Sequence, residues 1–244
     1  YSPKIVGIFM TGDLEQLGPN PIASFSKGKR VNEFLDQMKV SLFERMIVCG
    51  RPVTRLTEQK RQHKILHDPV NDLHYGRANR TVEGLLTEDM KLHINLMRDF
   101  LGLGPDVPYN EFQKHLAWVE ITDSIAEFAP NSNSTRNLGN VLWVTLRLQV
   151  LKNYFRGTVF QRCAIYVPYR AQYNEYKSLF LRLKRREGFT DNELPFLRTT
   201  DSSIGSERDF VLIDLTQVEK EGFLADEGRA CVTWSRAKMW QVTV

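Results

Sequence analysis

The segment Thr199–Asp209 combines residue types that bind ligands in α/β proteins. It is polar, it has Gly205 at its turn, and it carries two acids two residues apart, Glu207 and Asp209. The apolar run Phe210–Leu215 follows at once and is typical of a buried strand. Because loops beside such strands hold binding and catalytic groups on a rigid scaffold, we expect a ligand site in this segment.

Further segments place polar side chains next to apolar runs. They are Gly12–Gln16, Gln59–Arg61, Pro168–Arg170 and the helical segment Arg229–Lys238. In the helical segment, Arg229, Val232 and Arg236 lie on one stripe at three- and four-residue steps. In open α/β sheets ligands bind at the carboxyl ends of the strands, so we expect the loop segments to meet there.

The elements that must position these groups alternate between strand and helix. Predicted strands cover Ile5–Met10, Val53–Thr57, His115–Ile121, Ala164–Val167, Phe210–Leu215 and Trp240–Val244. Predicted helices cover Phe34–Cys49, Leu92–Leu101, Asn140–Phe155, Ala171–Glu187 and Glu227–Lys238, with Gly50, Gly102 and Gly188 as stops. This order predicts an α/β fold with a mostly parallel sheet flanked by helices.

Composition narrows the class of protein. Of the 244 residues, 42% are hydrophobic and 25% are charged, which is typical of a globular chain. The net charge of +4 permits a nucleic-acid partner without requiring one. Three distant cysteines, Cys49, Cys163 and Cys231, indicate a reducing compartment and neither disulfides nor a zinc site. We find no membrane-length apolar run and no signal-peptide pattern, and we expect a cytoplasmic or nuclear location.

Six motifs in order carry a family resemblance. They are Gly-Asp-x-x-Gln-Leu-Gly-Pro from Gly12, Ser-Leu-Phe-Glu-Arg from Ser41, Gln-x-Arg from Gln59, Val-Pro-Tyr-Arg-Ala-Gln from Val167, Asp-Ser-Ser-x-Gly-Ser-Glu-x-Asp-Phe-Val from Asp201, and Arg-x-x-Val-x-x-Ser-Arg-Ala-Lys from Arg229. The chain thus resembles superfamily 1 helicases of the up-frameshift (Upf) type over nearly its whole length. The resemblance implies two RecA-like domains with ATP in the cleft between them and single-stranded RNA or DNA across their top.

The resemblance also implies roles for individual residues. Gln16 would sense the γ-phosphate, and Arg61 and Arg236 would reach the phosphates as catalytic groups, since arginines stabilise the charge that develops in phosphoryl transfer. Gly12, Asp13, Gln59, Gly205 and Glu207 would bind the nucleotide. Pro168, Tyr169, Arg170, Ser202 and Ser203 would bind nucleic acid, with Tyr169 stacking on a base. The implied direction of travel is 5′ to 3′.

Half of the implied ATP site is absent from the sequence. No P-loop pattern occurs, because Gly28-Lys29 is followed by Arg30, and Asp226-Glu227 does not follow an apolar strand as a magnesium-binding pair would. We therefore expect ATP and Mg²⁺ as cofactors of a longer protein, with the Mg²⁺ ligands and the first RecA-like domain preceding Tyr1. Residues 1–54 would end that first domain, residues 55–244 would form the second, and this chain alone would be inactive.

Some positions depart from the family pattern. Ile204 replaces a usual Gln, Lys60 a usual aromatic and Asn140 an expected Glu, while Trp234 is unusually bulky. They leave open a second interpretation, a non-catalytic nucleic-acid-binding or scaffold module with a helicase-like fold. A nucleotide-dependent nuclease or transferase is a weaker third one, because no carboxylate cluster supports it.

Several of these residues could have a purely structural role instead of a functional one. Arg236 can pair with a neighbouring acid, Glu207 can pair with Arg208 or Arg229, and Asp201 and Asp209 are typical loop-capping groups. The run Lys184–Arg186 could contact nucleic acid, but we expect it to be a solvated helix end. His63, His67 and His74 have helical spacing, but without a cysteine or carboxylate at zinc-site spacing we expect no metal.

Overall fold

The computed structural model describes all residues except 1–3, 5, 22–24, 27–28, 83, 85–86, 89–95, 156–159, 218 and 220–221. Its strands are β1 Phe25–Ser26, β2 Lys29–Arg30, β3 Glu58–Gln59, β4 Arg80–Thr81, β5 Leu116–Trp118, β6 Ala126–Phe128, β7 Thr135–Asn137, β8 Cys163–Val167, β9 Phe196–Thr199, β10 Arg208–Ile213 and β11 Ala237–Thr243. Its helices are α1 Leu35–Lys39, α2 Leu42–Val48, α3 Lys64–His74, α4 Leu96–Leu101, α5 Leu138–Phe155, α6 Arg170–Glu187 and α7 Glu227–Trp234.

One five-stranded sheet organises the chain. Its order is β5-β11-β10-β8-β9, and every neighbouring pair is parallel. The strands β1 and β2, β3 and β4, and β6 and β7 form three separate two-stranded pairs. Parallel strands require crossover connections, and α5, α6 and α7 lie between successive strands of the main sheet.

Both faces of the sheet are buried, as all-parallel sheets require. On one face, α4, α5 and α6 contribute Phe100, Val144 and Tyr176 to a core with Ile165 and Leu212. The opposite face is covered by Leu66 of α3 and by Trp234, which pack against Ala164, Tyr166, Val211, Ile213 and Ala237. All five residues of β8 are buried. The α/β, RecA-like fold class is confirmed.

The strongest periodic elements match their predictions closely. Strand β8 and helix α6 differ from the predicted bounds by one residue, and Gly188 ends α6 with φ of +64°. Gly50 and Gly102 also have positive φ, at +75° and +72°, beyond the ends of α2 and α4. The part of the predicted helix at 92–95 lies outside the described residues.

Other elements differ from the prediction. The single helix expected over Phe34–Cys49 is two helices, because Val40 is extended and Ser41 caps α2 by accepting the amide of Glu44 at 3.0 Å. The helix expected over Glu227–Lys238 ends at Trp234, since the carbonyl of Arg236 already accepts the amide of Arg208 at 3.1 Å, next to the β10–β11 ladder.

Two predicted strands are wrong, and one strand was missed. Residues 6–10 form no strand, and Val6, Ile8 and Phe9 are exposed, because none of the described residues supplies a ladder partner for them. The stretch 53–57 is not a strand either, and the short β3 follows it outside the main sheet. The missed strand is β9, which forms an edge of the main sheet.

The segments that carry Glu207 and Arg236 lie at the amino edge of the main sheet, whereas ligand groups were expected at its carboxyl edge. Glu207 and Arg236 immediately precede β10 and β11, so they lie at the amino ends of these parallel strands. Pro168 follows β8 and therefore lies at the carboxyl edge. The segment 200–207 runs back from the carboxyl end of β9 to the amino end of β10, and it joins the two edges.

Candidate functional site

Arg236 is the most deeply buried charge of the amino edge. Its side chain is 1% exposed, and its Nε donates to the carbonyl of Val232 at 2.8 Å. Its Nη1 donates to the carbonyl of Ser206 at 3.2 Å, and its Nη2 donates to Ser235 Oγ at 2.7 Å and to Gln16 Oε1 at 3.3 Å. No acidic side chain in the described part of the chain pairs with Arg236. Desolvation first, and the charge of Arg61 second, lower the pKa of this guanidinium.

Arg61 meets Glu207 beside Arg236. The Nε of Arg61 donates to Glu207 Oε2 at 2.6 Å, although the two residues are 146 positions apart in sequence. Lys238 lies 2.7 Å from the other oxygen of Glu207. Desolvation opposes ionisation of Glu207, but the hydrogen bonds and charges of Lys238 and Arg61 prevail and lower its pKa. Two cations, Arg61 and Lys238, thus share the carboxylate of Glu207, and its carboxylate pairs with neither Arg208 nor Arg229.

Gln59 shapes the loop that carries Arg61. Its Oε1 accepts the amides of Arg61 at 3.0 Å and Gln62 at 2.9 Å. Its Nε2 donates to the carbonyl of Gln62 at 2.8 Å and to Thr81 Oγ1 at 2.7 Å. The amide group is therefore saturated within the chain, and Gln59 holds the backbone on which Arg61 is mounted. Lys60 between them is exposed.

The Gly12–Gln16 loop reaches the same cluster through a hydrogen-bonded chain. Gln16, which accepts from Arg236, donates its Nε2 to Asp13 Oδ2 at 2.8 Å. The hydroxyl of Tyr75 donates to the same oxygen at 2.6 Å and lies 3.4 Å from Cys231 Sγ. Desolvation, then the hydrogen bond to Asp13, raise the pKa of Tyr75, so this hydroxyl stays a donor. Sequence reasoning missed Tyr75 because nothing near it in the chain marks a partner.

Glycines permit the close approaches around this loop. A Cβ on Gly12 would lie 3.1 Å from Cδ1 of Phe43, and one on Gly228 would lie 3.2 Å from the carbonyl oxygen of Gln16. Gly228 belongs to α7, so the absence of a side chain there lets the loop pack directly on that helix.

The two adjacent serines of the segment Thr199–Asp209, Ser202 and Ser203, differ in exposure. Ser202 is exposed, and its Oγ donates to the carbonyl of Thr199 at 2.9 Å. Ser203 is 0% exposed, and both its hydroxyl and its amide donate to the carbonyl of Thr200. In this conformation only Ser202 of the pair can offer its hydroxyl to a ligand.

Gly205 lies at a turn between Asp201 and the two later acids of this segment, Glu207 and Asp209. Gly205 has φ of +75°, a conformation that L side chains rarely adopt. Ile204 before it is 51% exposed and points away from the core. Asp201 pairs with Arg229 at 3.1 Å, and Asp209 pairs with Arg162, which agrees with structural roles for both acids.

The Pro168–Arg170 segment offers only one accessible group to the carboxyl edge. Pro168 is buried, and Arg170 is exposed with its guanidinium 4.7 Å from the ring of Tyr173. The Tyr169 hydroxyl accepts the amide of Phe223 at 3.0 Å and the side chain of Gln217 at 3.3 Å. Tyr169 therefore anchors the loop after β10, and its ring is half-buried rather than presented for stacking.

Comparison with known proteins decides the family. A family described as "AAA domain" matches residues 38–244. The chain belongs to this AAA domain family. It is 26% identical to "ATP-dependent helicase upf1" of Schizosaccharomyces pombe over 97% of this chain and 24% of that protein. It is 25% identical to "NFX1-type zinc finger-containing protein 1 homolog" of Caenorhabditis elegans over 95% of this chain and 8% of that protein.

The comparisons confirm the resemblance to superfamily 1 helicases of the up-frameshift type. The chain spans about a quarter and less than a tenth of the lengths of the two relatives. The roles of individual residues stay predictions.

The carboxyl end of β10 in this AAA domain holds a second polar cluster that sequence reasoning missed. Asp214 is 0% exposed, and its Oδ1 accepts from Asn140 Nδ2 and from the amide of Thr216, both at 2.8 Å. Its Oδ2 accepts from Gln172 Nε2 at 2.5 Å and from the Tyr176 hydroxyl at 2.7 Å. Desolvation outweighs these hydrogen bonds and raises the pKa of Asp214.

This Asp214 network explains one departure from the family pattern. Asn140 contacts no member of the arginine cluster, and it fills a donor position beside a buried carboxylate. Gln172 also exchanges two hydrogen bonds with the backbone of Asn137, at 2.8 and 3.0 Å, which ties the start of α6 to the start of α5. Trp234 packs against Trp118 with ring centroids 5.3 Å apart, so its bulk is used in a surface aromatic pair.

The histidines do not form a metal site within the described residues. His63 stacks on His115 with ring centroids 3.7 Å apart and an interplanar angle of 13°. Desolvation, then the charge of His115, lower the pKa of His63 to about 4. Among the residues that the structure describes, no helix has the length and apolar character needed to traverse a bilayer.

Proposed function

We propose that this AAA domain is the arginine-donating, nucleic-acid-binding part of an ATP-dependent superfamily 1 helicase. The observation that carries the proposal is the convergence of Arg61, Arg236 and Gln16 beside Glu207. These residues come from three distant parts of the sequence, yet hydrogen bonds connect Arg236 to Gln16 and Arg61 to Glu207.

The residues present fit a polyphosphate ligand. The cluster has three cations and one carboxylate, and Arg236 is desolvated without an acidic partner among the described residues. An anion that displaced the 3.3 Å contact from Gln16 would supply the missing countercharge. Arg61 and Arg236 would hold ATP together with Gln16, and the nucleotide with Mg²⁺ would supply the phosphoryl group for hydrolysis.

Each residue of the cluster has a distinct task in this proposal. Arg236 stabilises negative charge on the phosphates, and its three contacts to Val232, Ser206 and Ser235 fix the direction of its guanidinium. Glu207 holds Arg61 and keeps it from turning to solvent. Gln59 fixes the backbone beneath Arg61, and Gly205 provides the turn that leads to Glu207. Asp13 and Gly12 shape the loop that presents Gln16.

We propose the carboxyl edge as the surface for single-stranded RNA or DNA. Of the residues predicted to bind nucleic acid, Arg170 and Ser202 have accessible polar groups there, and phosphate contacts from such groups are independent of base sequence. Pro168, Tyr169 and Ser203 support that surface from below, because their groups are buried or engaged within the chain. Travel from 5′ to 3′ rests on the family resemblance alone.

The domain assignment belongs to the same proposal. Residues 55–244 would form the second RecA-like domain, and residues 1–54 would belong to the end of the first. The contact between Gln16 and Arg236 would then lie across the cleft between the two domains. A protein of this kind would act in the cytoplasm or nucleus.

The decisive experiment measures ATP hydrolysis by the full-length protein with and without single-stranded nucleic acid. We expect stimulated hydrolysis, and we expect Arg236→Ala to lower it on the order of a thousandfold, since loss of an arginine finger has effects of that size. Arg185→Ala on the exposed end of α6 is the matched control and should retain activity. Full activity of Arg236→Ala would refute the assigned role.

A non-catalytic binding module is the second candidate. The observation that favours it is the burial of Arg236, which is 1% exposed and donates its hydrogen bonds to acceptors of its own chain. Nucleic-acid binding by the full-length protein without any stimulated ATP hydrolysis would establish this alternative.

A further inference from the structure

Two arginines stack on one aromatic ring at the outer edge of the main sheet. The guanidinium of Arg198 lies 4.5 Å from the ring centroid of Phe196, two residues earlier on the edge strand β9. The guanidinium of Arg208, at the start of β10, lies 4.4 Å from the same centroid. The ring therefore holds two positive charges close together.

Neither arginine has an acidic partner among the residues that the structure describes. Arg208 donates Nη1 to the backbone carbonyl of Glu207 at 2.7 Å, while its Nε is buried without an acceptor. Arg198 is exposed. Two like charges near one ring repel each other, and a bound anion would relieve that repulsion. The edge is therefore suited to phosphate groups, which guanidinium binds with matching geometry.

The arginine pair continues the surface proposed for nucleic acid. Arg198 precedes Thr199, whose amide donates to Ser202 Oγ at 3.0 Å. Thr199 pairs with Val167 of β8, and Arg170 begins α6 three positions later. Arg170, Ser202 and the backbone of Arg198 thus lie near the carboxyl ends of two neighbouring strands. The guanidinium of Arg198 reaches back over Phe196, the first residue of β9, and lies over the same ring as that of Arg208 at the amino end of β10.

We propose that Arg198 and Arg208 bind backbone phosphates of a single-stranded nucleic acid that passes over the edge of the sheet. The inference rests on the proposed function, because it extends the strand contact made by Arg170 and Ser202. Phe196 is covered by the two guanidiniums, so it aligns them and is not a stacking platform for a base. The arginine pair therefore binds any base sequence and depends strongly on ionic strength.

The test is a salt titration of binding by the 244-residue chain. Fluorescence anisotropy with a labelled single-stranded oligouridylate or oligothymidylate gives the slope of the logarithm of affinity against the logarithm of salt concentration. Each lost phosphate contact lowers the magnitude of the slope by about 0.7 for single strands. We expect the double substitution R198Q/R208Q to lower it by about twice that amount, and R198K/R208K to retain most of it.

Matched controls separate the inference from its alternatives. R185Q/R186Q removes the same charge from the exposed end of α6 and should leave the slope unchanged, while thermal unfolding checks that each variant is folded. An unchanged slope in R198Q/R208Q, or an equal reduction in both glutamine doubles, would overturn the inference and leave the proposed function standing. Absence of oligonucleotide binding by the unsubstituted chain would overturn both.

Discussion

The two ends of strand β10 stabilise a carboxylate in opposite ways. At the amino end, Glu207 is partly exposed and faces two cations, Arg61 and Lys238. At the carboxyl end, Asp214 is fully buried and is held by neutral donors that include Asn140 and Gln172. Hydrogen bonds can therefore replace a countercharge where the site is closed, while the open end keeps a surplus of positive charge.

The different environments of Asp214 and Glu207 predict different roles, in folding for Asp214 and in ligand binding for Glu207. Desolvation dominates at Asp214 and raises its pKa, whereas partners dominate at Glu207 and lower its pKa. The Asp214 network joins β10 to the starts of α5 and α6, so we expect its loss to affect folding. Glu207 and Arg61 are partly exposed, and the proposed function assigns them to the phosphate site, so we expect their loss to affect binding and catalysis.

The largest stability effect should come from Asp214→Ala. The substitution leaves the side chains of Asn140, Gln172 and Tyr176 without their acceptor, and buried unpaired donors cost about 1–3 kcal/mol each. We expect the free energy of unfolding to fall by about 3 kcal/mol or more in urea denaturation. Asp201→Ala removes an exposed carboxylate and should cost about 0–1 kcal/mol. Similar losses in both variants would break the comparison.

Asn140→Glu tests whether the closed end tolerates a second charge. The new carboxylate would face Asp214, and two adjacent carboxylates raise each other's pKa until they share a proton. We expect a loss of about 2 kcal/mol at pH 7, in the range of a buried unpaired group, and a smaller loss at pH 5. Asn140→Gln has the same length without the charge. A loss of equal size at both pH values would show that volume, not charge, is the cause.

The histidine stack behind the open end predicts acid sensitivity. The pKa of His63 is about 4 in the folded chain and 6.5 in the reference state, so the unfolded chain binds more protons between these values. Stability from neutral His63 is complete above pH 6.5 and is lost as pH falls toward 4. Urea midpoints across this window should fall with pH. His63→Gln should flatten the decline by about 1 kcal/mol, less than the full linkage effect, because the ring is partly exposed and solvent screens its charge. A wild-type slope retained in His63→Gln would contradict this role for the stack.

The smallest stability effect should come from Glu207→Gln. The ion pairs of Glu207 are partly solvated, so the free energy of unfolding at neutral pH should change by less than about 1 kcal/mol. Because the pKa of Glu207 is lowered, its contribution is present above pH 4.5 and is lost as pH falls through the folded value. Urea denaturation at neutral pH measures the effect, and a loss comparable to that of Asp214→Ala would erase the distinction between the two ends.

The sequence predicts those parts of the fold whose cause is local. Strand β8 is a run of buried residues, and α6 has helical periodicity with Gly188 at its end. Strand β9 was missed because Arg198 and Thr199 interrupt its apolar pattern, as an exposed edge strand permits. Gln16, Arg61 and Arg236 were found by motif, but their position at the amino edge depends on a crossover that no local pattern reveals.

The partners of Asp214 in the Asp214 network are harder to predict from the sequence than the arginine motifs. Asp214 lies inside the predicted strand Phe210–Leu215, where nothing marks its partners, and its three side-chain donors lie 38 to 74 positions away. Tyr75 and Tyr169 likewise acquire their roles from contacts with Asp13 and Phe223 that only folding creates.

Gly228 sets the separation between the Gln16 loop and helix α7. Any side chain there would push against the backbone of Gln16 and Leu17, where a Cβ would already be only 3.2 Å away. The hydrogen bond from Arg236 to Gln16 is long at 3.3 Å, so a displacement of a few tenths of an ångström would break it. The absence of a side chain at Gly228 therefore lets the Gln16 loop lie close enough to α7 for the hydrogen bond between Arg236 and Gln16 to form.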